Sequence, residues 1–538
     1  MQETNLLQRV TPTANMYLTT REAAQFATQY IGKLVTTSNI MYLIQYGRVN
    51  RYIQNGQVCI SRDELTTYYN SGKGKREIEW KEKLGDDLNW ALSFDNLTEA
   101  ESTKHVHRLH PYKGKFIPQL VEYFLDEHTD EFKDEVFFHK GDIILDPFSG
   151  SGTTMVQANE LGMHAIGIDV SAFNAMIDNC KVAKYNLYEV FQEITRISGV
   201  LKAYISTTGI AEFEEELLAK LAVFNNTYFP SPEYKARLQR KEIDGNAYGE
   251  EKAKLFLPTY NALVEKYHIE LLQPTHTNFL ETWYCKQIRN EIDLVYSEIQ
   301  KVDNPLTHNI LCVILSRTMR SCRATTHSDL ATLVEPVVTT YYCHKHGKIC
   351  KPLFSILKWW ETYAKDTLKR LQEFDKIRTD TFQYCLTGDS RNVDIIAGIE
   401  QQNPTFANLI RDHKISGIFT SPPYVGVIDY HEQHAYAYDL FGFTRNDDLE
   451  IGPLFKGQKK EAQLSYIKGI SDVLKHCIPY LKENFDIFIV ANDKYNLYPT
   501  IAELSGLQIV NQYKRPVLNR TEKDKGAYCE MIYHLKSK

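Results

Sequence analysis

The apolar positions of this chain fall into short runs that alternate with longer amphipathic segments. Asp142–Asp146 has an apolar centre, and His164–Asp169 repeats the pattern after a glycine turn and one helical segment. Short apolar runs without strict alternation are typical of strands buried on both faces of a parallel sheet. The order strand, turn, helix, strand therefore predicts one βαβ step of a doubly wound sheet over residues 141–185.

The same alternation returns near the end of the chain, after a long interval in which helical segments predominate. Residues 186–380 show no alternation of strands with helices and are predicted to be mostly helical. The pattern thus predicts an α/β protein whose Rossmann-like sheet is split by a mostly helical insertion. The strands predicted after the insertion are Phe382–Leu386, Ile415–Thr420 and Phe485–Ala491, with a terminal antiparallel pair, Leu507–Val517 and Tyr528–Leu535.

The first part of the chain, residues 17–70, is predicted to form a separate small unit. Its expected parts are a helix capped by Thr19 or Thr20, a helix over Ile40–Gln45 capped by Ser38, a hairpin over Val49–Ile60 that turns at Asn55-Gly56, and a helix from Ser61. This order resembles the winged helix-turn-helix of excisionase and MerR-type DNA-binding domains. The alternative is a helical cap that only packs on the rest of the chain.

Composition and charge limit the classes to which the protein can belong. Of its 538 residues, 43% are hydrophobic and 24% are charged, which excludes collagen-like, disulfide-scaffold and wholly disordered proteins. The ten cysteines are scattered, as in a reduced cytosolic protein. Because no apolar run can span a bilayer and we find no secretory signal, we expect a cytoplasmic, nucleoid-associated protein with no membrane partner. The net charge of −6 does not exclude nucleic acid, since a local basic face is enough for phosphate contacts.

A glycine loop, Asp146–Thr154, carries the first chemical signal. Its glycines let the backbone approach a ligand, and the N–H groups of the following helix favour a carboxylate or a phosphate. A nucleotide phosphate loop would carry a lysine after the glycines, and this loop has none. Asp169, at the end of the second strand, can bridge two ribose hydroxyls. Together these features predict a ligand of the adenosine type.

The second signal is Ser421-Pro422-Pro423-Tyr424, directly after the predicted strand Ile415–Thr420. The two prolines fix the backbone and remove two N–H donors, which leaves their carbonyls free to accept. A polar side chain followed by a free carbonyl suits an exocyclic amine, and the tyrosine offers a ring for stacking. The alternative is a stiff strand exit with a buried tyrosine.

These segments resemble the amino-methylating DNA methyltransferases that use S-adenosylmethionine, over residues 105–185 and 381–538. The segment His107–Pro118 looks like the element that those enzymes place against the methionine end of the cofactor. The segments 514–517 and 528–530 resemble their closing hairpin. Asp389 sits where their acid contacts the adenine. The catalytic residues that the resemblance implies are Ser421, Pro422, Pro423 and Tyr424. The cofactor-binding residues that it implies are Tyr112, Lys115, Phe116, Asp146, Phe148, Gly150, Gly152, Thr153, Asp169 and Asp389.

The first residue of the tetrad bears on the target base. A serine there is usually linked to N4-cytosine methylation, whereas aspartate or asparagine more often accompanies N6-adenine. The resemblance therefore implies a site-specific cytosine-N4 methyltransferase of duplex DNA, with a restriction endonuclease as a candidate partner. The alternatives are N6-adenine methylation of DNA, methylation of an exocyclic amine in RNA, and a DNA-binding regulator that keeps the fold without catalysis. Methylation of cytosine C5 needs a cysteine nucleophile after a proline, and the chain has no Pro-Cys pair.

The predicted insertion carries a local excess of positive charge. Between Cys312 and Lys358 there are seven Lys or Arg residues against two acids, which suits phosphate contacts or a solvated face. The predicted DNA-binding residues are Arg317, Arg320, Arg323, Lys345 and Lys348.

The chain is therefore predicted to have four parts. They are a winged helix-turn-helix domain at 1–75, the first, cofactor-binding half of the methyltransferase at 100–185, a helical insertion for target recognition at 186–380 and the second, catalytic half at 381–538.

Cys343, His346 and Cys350 are spaced like ligands of a structural zinc site. Zinc in such sites prefers four ligands, and only three lie close together in the sequence, so the fourth must come from a distance. Cys322 and His327 lie upstream. The alternative is that these are free thiols of a cytosolic protein.

Overall fold

The computed structural model describes residues 16–45, 48–95, 97–112, 114–130, 132–231, 233–327, 333–518 and 526–538. Residues 1–15 of the predicted N-terminal domain and residue 113, within the predicted segment His107–Pro118, lie outside these ranges. Among the described helices, none is long and apolar enough to cross a membrane.

The N-terminal unit is a small three-stranded sheet with helices packed against it. Its strands lie in the order β1-β3-β2 and are antiparallel. Its elements are β1 (Tyr17–Thr19), α1 (Thr20–Ile31), α2 (Thr37–Gln45), β2 (Tyr52–Gln54), β3 (Gln57–Ser61), α3 (Arg62–Asn70) and α4 (Gly72–Leu84).

Local sequence explains how these elements begin and turn. Thr19 caps α1 in a reciprocal capping box with Glu22, and Asn55 and Gly56 turn the hairpin with φ angles of 51° and 77°. The predicted cap of the second helix was wrong. Thr36, not Ser38, accepts a hydrogen bond from the Asn39 amide at 3.2 Å, because the helix begins one turn earlier and buries Ser38. The elements occur in the predicted order, and their assignment as a winged helix stays a prediction.

The first half of the main sheet follows this unit. Two parallel strands with one helix between them form the predicted βαβ step, and the glycine loop lies between the first strand and the helix. The elements are α5 (Glu99–Ser102), α6 (Pro118–Leu125), β4 (Ile143–Asp146), α7 (Thr153–Glu160), β5 (His164–Asp169) and α8 (Ala172–Val182).

The segment between the two halves of the sheet is mostly helical, and it consists of two parts. Helices α9, α14, α15 and α16 share their apolar core with one face of the main sheet. Helices α10 to α12 form a separate core with a short hairpin, β6–β7, that the sequence pattern did not predict. The elements are α9 (Leu187–Ile205), α10 (Ile210–Tyr228), α11 (Glu233–Gln239), α12 (Gly245–Lys266), α13 (Phe279–Trp283), α14 (Lys286–Ile299), α15 (Pro305–Ser321), β6 (Tyr341–Cys343), β7 (Lys348–Cys350) and α16 (Leu357–Asp375).

The second half supplies five more strands and completes the Rossmann-like sheet. Helices α17, α18, α21 and α22 cover the face opposite α9 and α14–α16. The elements are β8 (Gln383–Thr387), α17 (Ile395–Gln402), α18 (Pro404–His413), β9 (Ile415–Thr420), α19 (Tyr430–Gln433), α20 (Ala435–Phe441), α21 (Lys460–Cys477), β10 (Leu481–Ala491), α22 (Tyr498–Leu504), β11 (Leu507–Pro516) and β12 (Cys529–Ser537).

The strand order of the main sheet determines where a ligand can bind. The order is β11-β12-β10-β9-β4-β5-β8, with β12 antiparallel to both of its neighbours and the other pairings parallel. From β4 the chain moves outward to β5 and β8 on one side, and later to β9 and β10 on the other. In open α/β sheets, ligands bind in the crevice at the carboxyl ends of the strands where this order reverses. The expected crevice is therefore between β4 and β9.

Candidate active site

A single cavity opens at the carboxyl ends of β4 and β9. The empty space within it is about 940 Å³, including the part open to solvent. Its walls combine the glycine loop and Asp169 from the first half of the sheet with Asp389 and the Ser421–Tyr424 segment from the second half. The two signals recognised separately in the sequence thus face one space, although more than 250 residues separate them along the chain.

The glycine loop closes on the end of the neighbouring strand. The Gly150 amide donates to Asp169 Oδ2 at 2.9 Å, and the Ser171 amide donates to Asp169 Oδ1 at 2.8 Å. Gly150 has φ 55°, and a Cβ there would lie 3.0 Å from the Tyr112 hydroxyl. Gly152 has φ 65°, and its Cβ would lie 2.7 Å from an oxygen of Asp178. Both positions therefore require glycine, for conformation and for space.

Two buried charged residues on α8 support the loop from behind, and the sequence analysis missed them. Asp178 accepts a hydrogen bond from the Ser149 hydroxyl at 2.6 Å, and Lys181 donates to the Ser151 carbonyl. Burial raises the pKa of Asp178 and lowers the pKa of Lys181. Their spacing of three residues on one helix face was the available signal, but a local sequence cannot show that this face meets the loop.

Asp146 joins the two halves of the site without lining the cavity. The Thr420 hydroxyl donates to its Oδ1 at 2.6 Å, and the Phe148 amide donates to the same oxygen at 3.2 Å. Burial raises the pKa of Asp146 to about 6. Thr420 directly precedes Ser421, so this bond fixes the start of the glycine loop relative to the tetrad. Asp146 and Gly152 are absent from the cavity wall, whereas the other eight predicted cofactor-binding residues line it.

The two acids predicted to contact an adenosine differ in their surroundings. Burial raises the pKa of Asp169 to about 6, against the hydrogen bonds from Ser171, Asn174 and Gly150 that lower it. Asp389 is less buried and forms a bidentate pair with Arg391 at 2.8 and 2.7 Å. Despite partial burial, this guanidinium holds the pKa of Asp389 below its usual value. Both acids remain on the wall of the cavity.

The Ser421–Tyr424 turn forms the opposite wall, and the antiparallel strand β12 holds its tyrosine. The Tyr424 hydroxyl donates to Glu530 Oε1 at 2.7 Å, and Arg515 Nη1 donates to Glu530 Oε2 at 2.9 Å. Burial and the nearby carboxylate of Glu530 raise the pKa of Tyr424 well above its usual value. The Tyr424 hydroxyl is therefore neutral, and Glu530, which lies outside the turn, holds it.

Aromatic rings close the cavity on the side of the segment that precedes β4. Tyr112 stacks on Tyr430 with ring centroids 5.9 Å apart, and Phe116 meets Phe419 edge to face at 5.5 Å. Lys115 lines the cavity while its Nζ donates to the His107 carbonyl at 2.9 Å. Tyr430 was not predicted, because its segment has no recognisable local pattern.

The predicted DNA-binding residues lie in two different environments. Arg317 is only 5% exposed, pairs with Asp366 and donates to Thr367 at 2.8 Å. It packs α15 against α16, and this burial contradicts the prediction that Arg317 contacts DNA. Arg320 and Arg323 are half-buried, while Lys345 and Lys348 are exposed on the β6–β7 hairpin.

Comparison with known proteins identifies relatives along the whole chain. Residues 27–176 match the model of a family described as DNA methylase, the N6/N4 methyltransferases. The chain is 47% identical over 98% of its length to the type II methyltransferase M.MjaII of Methanocaldococcus jannaschii, and it covers 98% of that protein. It is 35% identical to M.BsoBI of Geobacillus stearothermophilus over 19% of both chains. It is 33% identical to M.MvaI of Kocuria varians over 21% of this chain and 23% of that one.

The match to M.MjaII decides the assignment, because it includes both walls of the cavity and the helical segment between them. Both shorter matches are to type II methyltransferases as well. The names agree with the amino-methylating enzyme expected from the glycine loop and the Ser421–Tyr424 turn. The chain belongs to the type II DNA methyltransferases of the N4/N6 amino-methylating family.

Proposed function

We propose that this enzyme transfers a methyl group from S-adenosylmethionine to the exocyclic N4 amine of cytosine in duplex DNA. One observation carries the proposal: a single cavity has the glycine loop and Asp169 on one wall and Ser421–Tyr424 on the other. A methyl donor on the first wall and an extruded base on the second would face each other without an intervening element.

The residues of the first wall fit the proposed cofactor, which DNA methyltransferases of this family use. Asp169, Asp389 and Glu450 line this part of the cavity, and their carboxylate oxygens can accept hydrogen bonds from ribose hydroxyls. The loop approaches closely at Gly150, where a Cβ would meet Tyr112. Phe148 and the stacked pair Tyr112–Tyr430 offer apolar faces to an adenine. When bound, S-adenosylmethionine supplies an electrophilic methyl group.

The second wall would hold and polarise the target base. The base leaves the duplex at a cost of a few kcal/mol, and stacking on Tyr424 returns about 1–3 kcal/mol. The amine then donates hydrogen bonds to the Ser421 hydroxyl and the Pro422 carbonyl, which draw its lone pair out of conjugation. As the new N–C bond forms, the methyl–sulfur bond of the donor breaks and leaves a neutral thioether, and the nitrogen gives up one proton to solvent. Positioning accounts for most of the acceleration, because no covalent enzyme adduct is needed.

Serine at the first tetrad position favours cytosine over adenine in this proposal. Aspartate or asparagine at this position more often accompanies N6-adenine methylation, whereas Ser421 brings a hydroxyl that both donates and accepts. N6-adenine methylation is the alternative that uses the same residues.

Two surfaces are proposed to contact the DNA. The N-terminal unit, proposed as a winged helix, meets the β11–β12 hairpin, because Lys514 Nζ donates to the carbonyl of Leu84 at the end of α4. The segment that follows α4 adds two contacts: the Asn89 amide donates to the Lys514 carbonyl at 2.8 Å, and Arg515 donates to the Leu92 carbonyl at 3.0 Å. Since Arg515 also pairs with Glu530, which holds Tyr424, DNA on this unit would lie beside the tetrad. The second surface is the helical part with its own core, α10–α12 and β6–β7, which carries Lys345 and Lys348. A cognate restriction endonuclease is the proposed biological partner.

The test is transfer of a tritiated methyl group by the full chain to duplex DNA and to RNA, followed by mass spectrometry of the nucleosides. We expect label in DNA only, recovered as N4-methylcytosine. Recovery as N6-methyladenine would move the proposal to the adenine enzymes, and label in RNA alone would overturn the DNA substrate. DNA binding without any transfer, in a preparation that binds the cofactor, would identify a regulator instead.

A further inference from the structure

Four side chains from two separate segments converge beside the β6–β7 hairpin. They are His327, which follows α15, and Cys343, His346 and Cys350 of the hairpin. One nitrogen or sulfur atom of each lies within 4.8 Å of those of the other three. The fourth ligand that the sequence left unidentified is thus present, 16 residues before Cys343.

The separations agree with the geometry of a tetrahedral zinc site. Zn–S bonds of about 2.3 Å and Zn–N bonds of about 2.0–2.1 Å place a sulfur and a nitrogen ligand about 3.5 Å apart at the tetrahedral angle. Cys343 Sγ lies 3.5 Å from His346 Nδ1 and 3.7 Å from His327 Nδ1, and His346 Nδ1 lies 3.4 Å from Cys350 Sγ. The side chains therefore stand where a metal at their centre would need them.

The backbone of the hairpin explains how three of the ligands reach one point. Cys343 pairs with Lys348 and Tyr341 pairs with Cys350 across the two short strands. Gly347, with φ 64°, tightens the turn, and its amide donates to the Cys343 carbonyl at 2.7 Å. The turn brings the side chain of His346 back between the two cysteines.

The chemistry of the ligands favours zinc over other metals. Two thiolates and two imidazoles in a tetrahedral arrangement are typical of zinc, whereas magnesium and calcium prefer oxygen ligands. Cys343 and Cys350 form no disulfide and are buried, and zinc-bound cysteines are commonly buried. Tyr341 Oη lies 2.7 Å from His327 Nδ1 and holds that imidazole beside the hairpin.

We propose that His327, Cys343, His346 and Cys350 bind one structural zinc ion. The metal ties the chain that leaves α15, which packs in the core of the main sheet, to a hairpin that packs on α10 and α12. It thereby fixes the exposed lysines Lys345 and Lys348 relative to the catalytic half. This positioning of two DNA contacts rests on the proposed function, whereas the metal site itself does not.

The metal site is tested on the purified full chain by elemental analysis and by X-ray absorption at the zinc edge. We expect one zinc per chain, with two sulfur and two nitrogen neighbours. Cys343→Ser and His327→Gln should each lower the zinc content well below one. His344→Gln is the matched control, because His344 lies in the same turn, meets Tyr342 edge to face and is outside the cluster.

Three outcomes would overturn the metal site. They are zinc well below one per chain in the wild type, unchanged zinc in both ligand variants, or a disulfide between Cys343 and Cys350, seen as a mass loss of about 2 Da without reductant. Because a ligand variant can fail to fold, the wild type is also stripped with a chelator. Its thermal midpoint should fall and return on addition of zinc, and an unchanged midpoint would contradict a structural role.

The positioning role has a separate test. Lys345→Gln with Lys348→Gln should keep its zinc and its cofactor affinity but bind duplex DNA more weakly, with a salt dependence reduced by about two counterions. The zinc-free Cys343→Ser chain should show the same loss. Unchanged DNA binding in the lysine variant would overturn the positioning role. Absence of any methyl transfer by the zinc-loaded wild type would contradict the proposed function and leave the metal site standing.

Discussion

The hydroxyl of Tyr424 donates a hydrogen bond of 2.7 Å to Glu530, which lies 106 residues later in the chain on the antiparallel strand β12. The same carboxylate accepts from Arg515 at 2.9 Å, and Arg515 also donates to the Leu92 carbonyl. The proposed stacking ring is thus fixed by the closing hairpin, which in turn contacts the segment that follows the N-terminal unit. The antiparallel pair at this end of the sheet therefore lies beside the proposed catalytic turn.

The first prediction concerns this bond. Glu530→Ala and Tyr424→Phe should each lower kcat/KM for methyl transfer about tenfold, the value of one hydrogen bond of about 1.4 kcal/mol. The double variant should be little worse than either single one, because both changes remove the same interaction. The measurement is steady-state transfer to duplex DNA. Effects that simply add would show that the two residues act independently.

Ser421 is expected to act in the transition state. Ser421→Ala should lower kcat about 100-fold, because an acceptor for the reacting amine is lost, while the affinities for DNA and cofactor change little. Ser390 is the control: it lines the same cavity but donates to the Pro147 carbonyl at 2.6 Å, so Ser390→Ala should affect cofactor affinity instead. Wild-type turnover by Ser421→Ala would remove this residue from the mechanism.

A single methyl group at Gly150 should weaken both cofactor binding and the stability of the fold. Gly150→Ala forces a side chain into a left-handed conformation and against Tyr112, so we expect weaker cofactor binding and a loss of about 1–2 kcal/mol in stability. Gly199→Ala is the matched change: it lies within α9 with open space around it, and it should gain about 0.5–1 kcal/mol. Calorimetric titration with the cofactor and thermal unfolding measure both effects. Full cofactor affinity in Gly150→Ala would contradict the close approach.

Local patterns in the sequence predicted most of the sheet and both walls of the cavity. The strands before and after the helical segment, the glycine loop and the diproline turn are each encoded within about ten residues, where backbone preferences decide the structure. The β6–β7 hairpin was not predicted, because its three-residue strands are too short to show an alternation of apolar and polar residues.

Contacts between segments that are distant in the sequence could not be predicted from local patterns. Asp146 looked like a cofactor ligand and instead holds Thr420, which is 274 residues away. Arg317 looked like a DNA contact because of its charge, but burial against α16 gives it a partner that no local pattern reveals. His327 likewise belongs to the cysteine cluster only because the exit of α15 passes beside the hairpin.

The raised pKa of Asp169 predicts a pH dependence of cofactor binding. Burial places it at about 6, against an ordinary 3.8, so the carboxylate gains a proton as the pH falls through about 6. A protonated acid accepts fewer hydrogen bonds from ribose, and affinity should therefore fall below about pH 6. For stability the sign is opposite: because the folded chain holds this proton more tightly than the unfolded chain, stability falls as the pH rises from about 4 to about 6.

Two variants assign this dependence to one group. Asp169→Asn should bind the cofactor weakly at every pH, with a flat profile, in titrations between about pH 5 and 8. Asp146 has a similarly raised pKa of about 6 but lies off the cavity wall, so Asp146→Asn should keep the pH dependence. A dependence that persists in Asp169→Asn would point to another titrating group in the cavity.

The environment of Arg317 predicts a stability phenotype rather than a DNA-binding one. Its guanidinium pairs with Asp366, donates to Thr367 at 2.8 Å and lies 4.4 Å from the centre of the Tyr363 ring. Arg317→Met should lower the free energy of unfolding by about 2–3 kcal/mol. This is less than the loss expected on breaking a fully buried ion pair, because Asp366 is partly exposed and still pairs with Arg370. Denaturant unfolding measures the loss, and the salt dependence of DNA binding should stay unchanged. A stable Arg317→Met chain with a reduced salt dependence would restore this arginine as a phosphate contact.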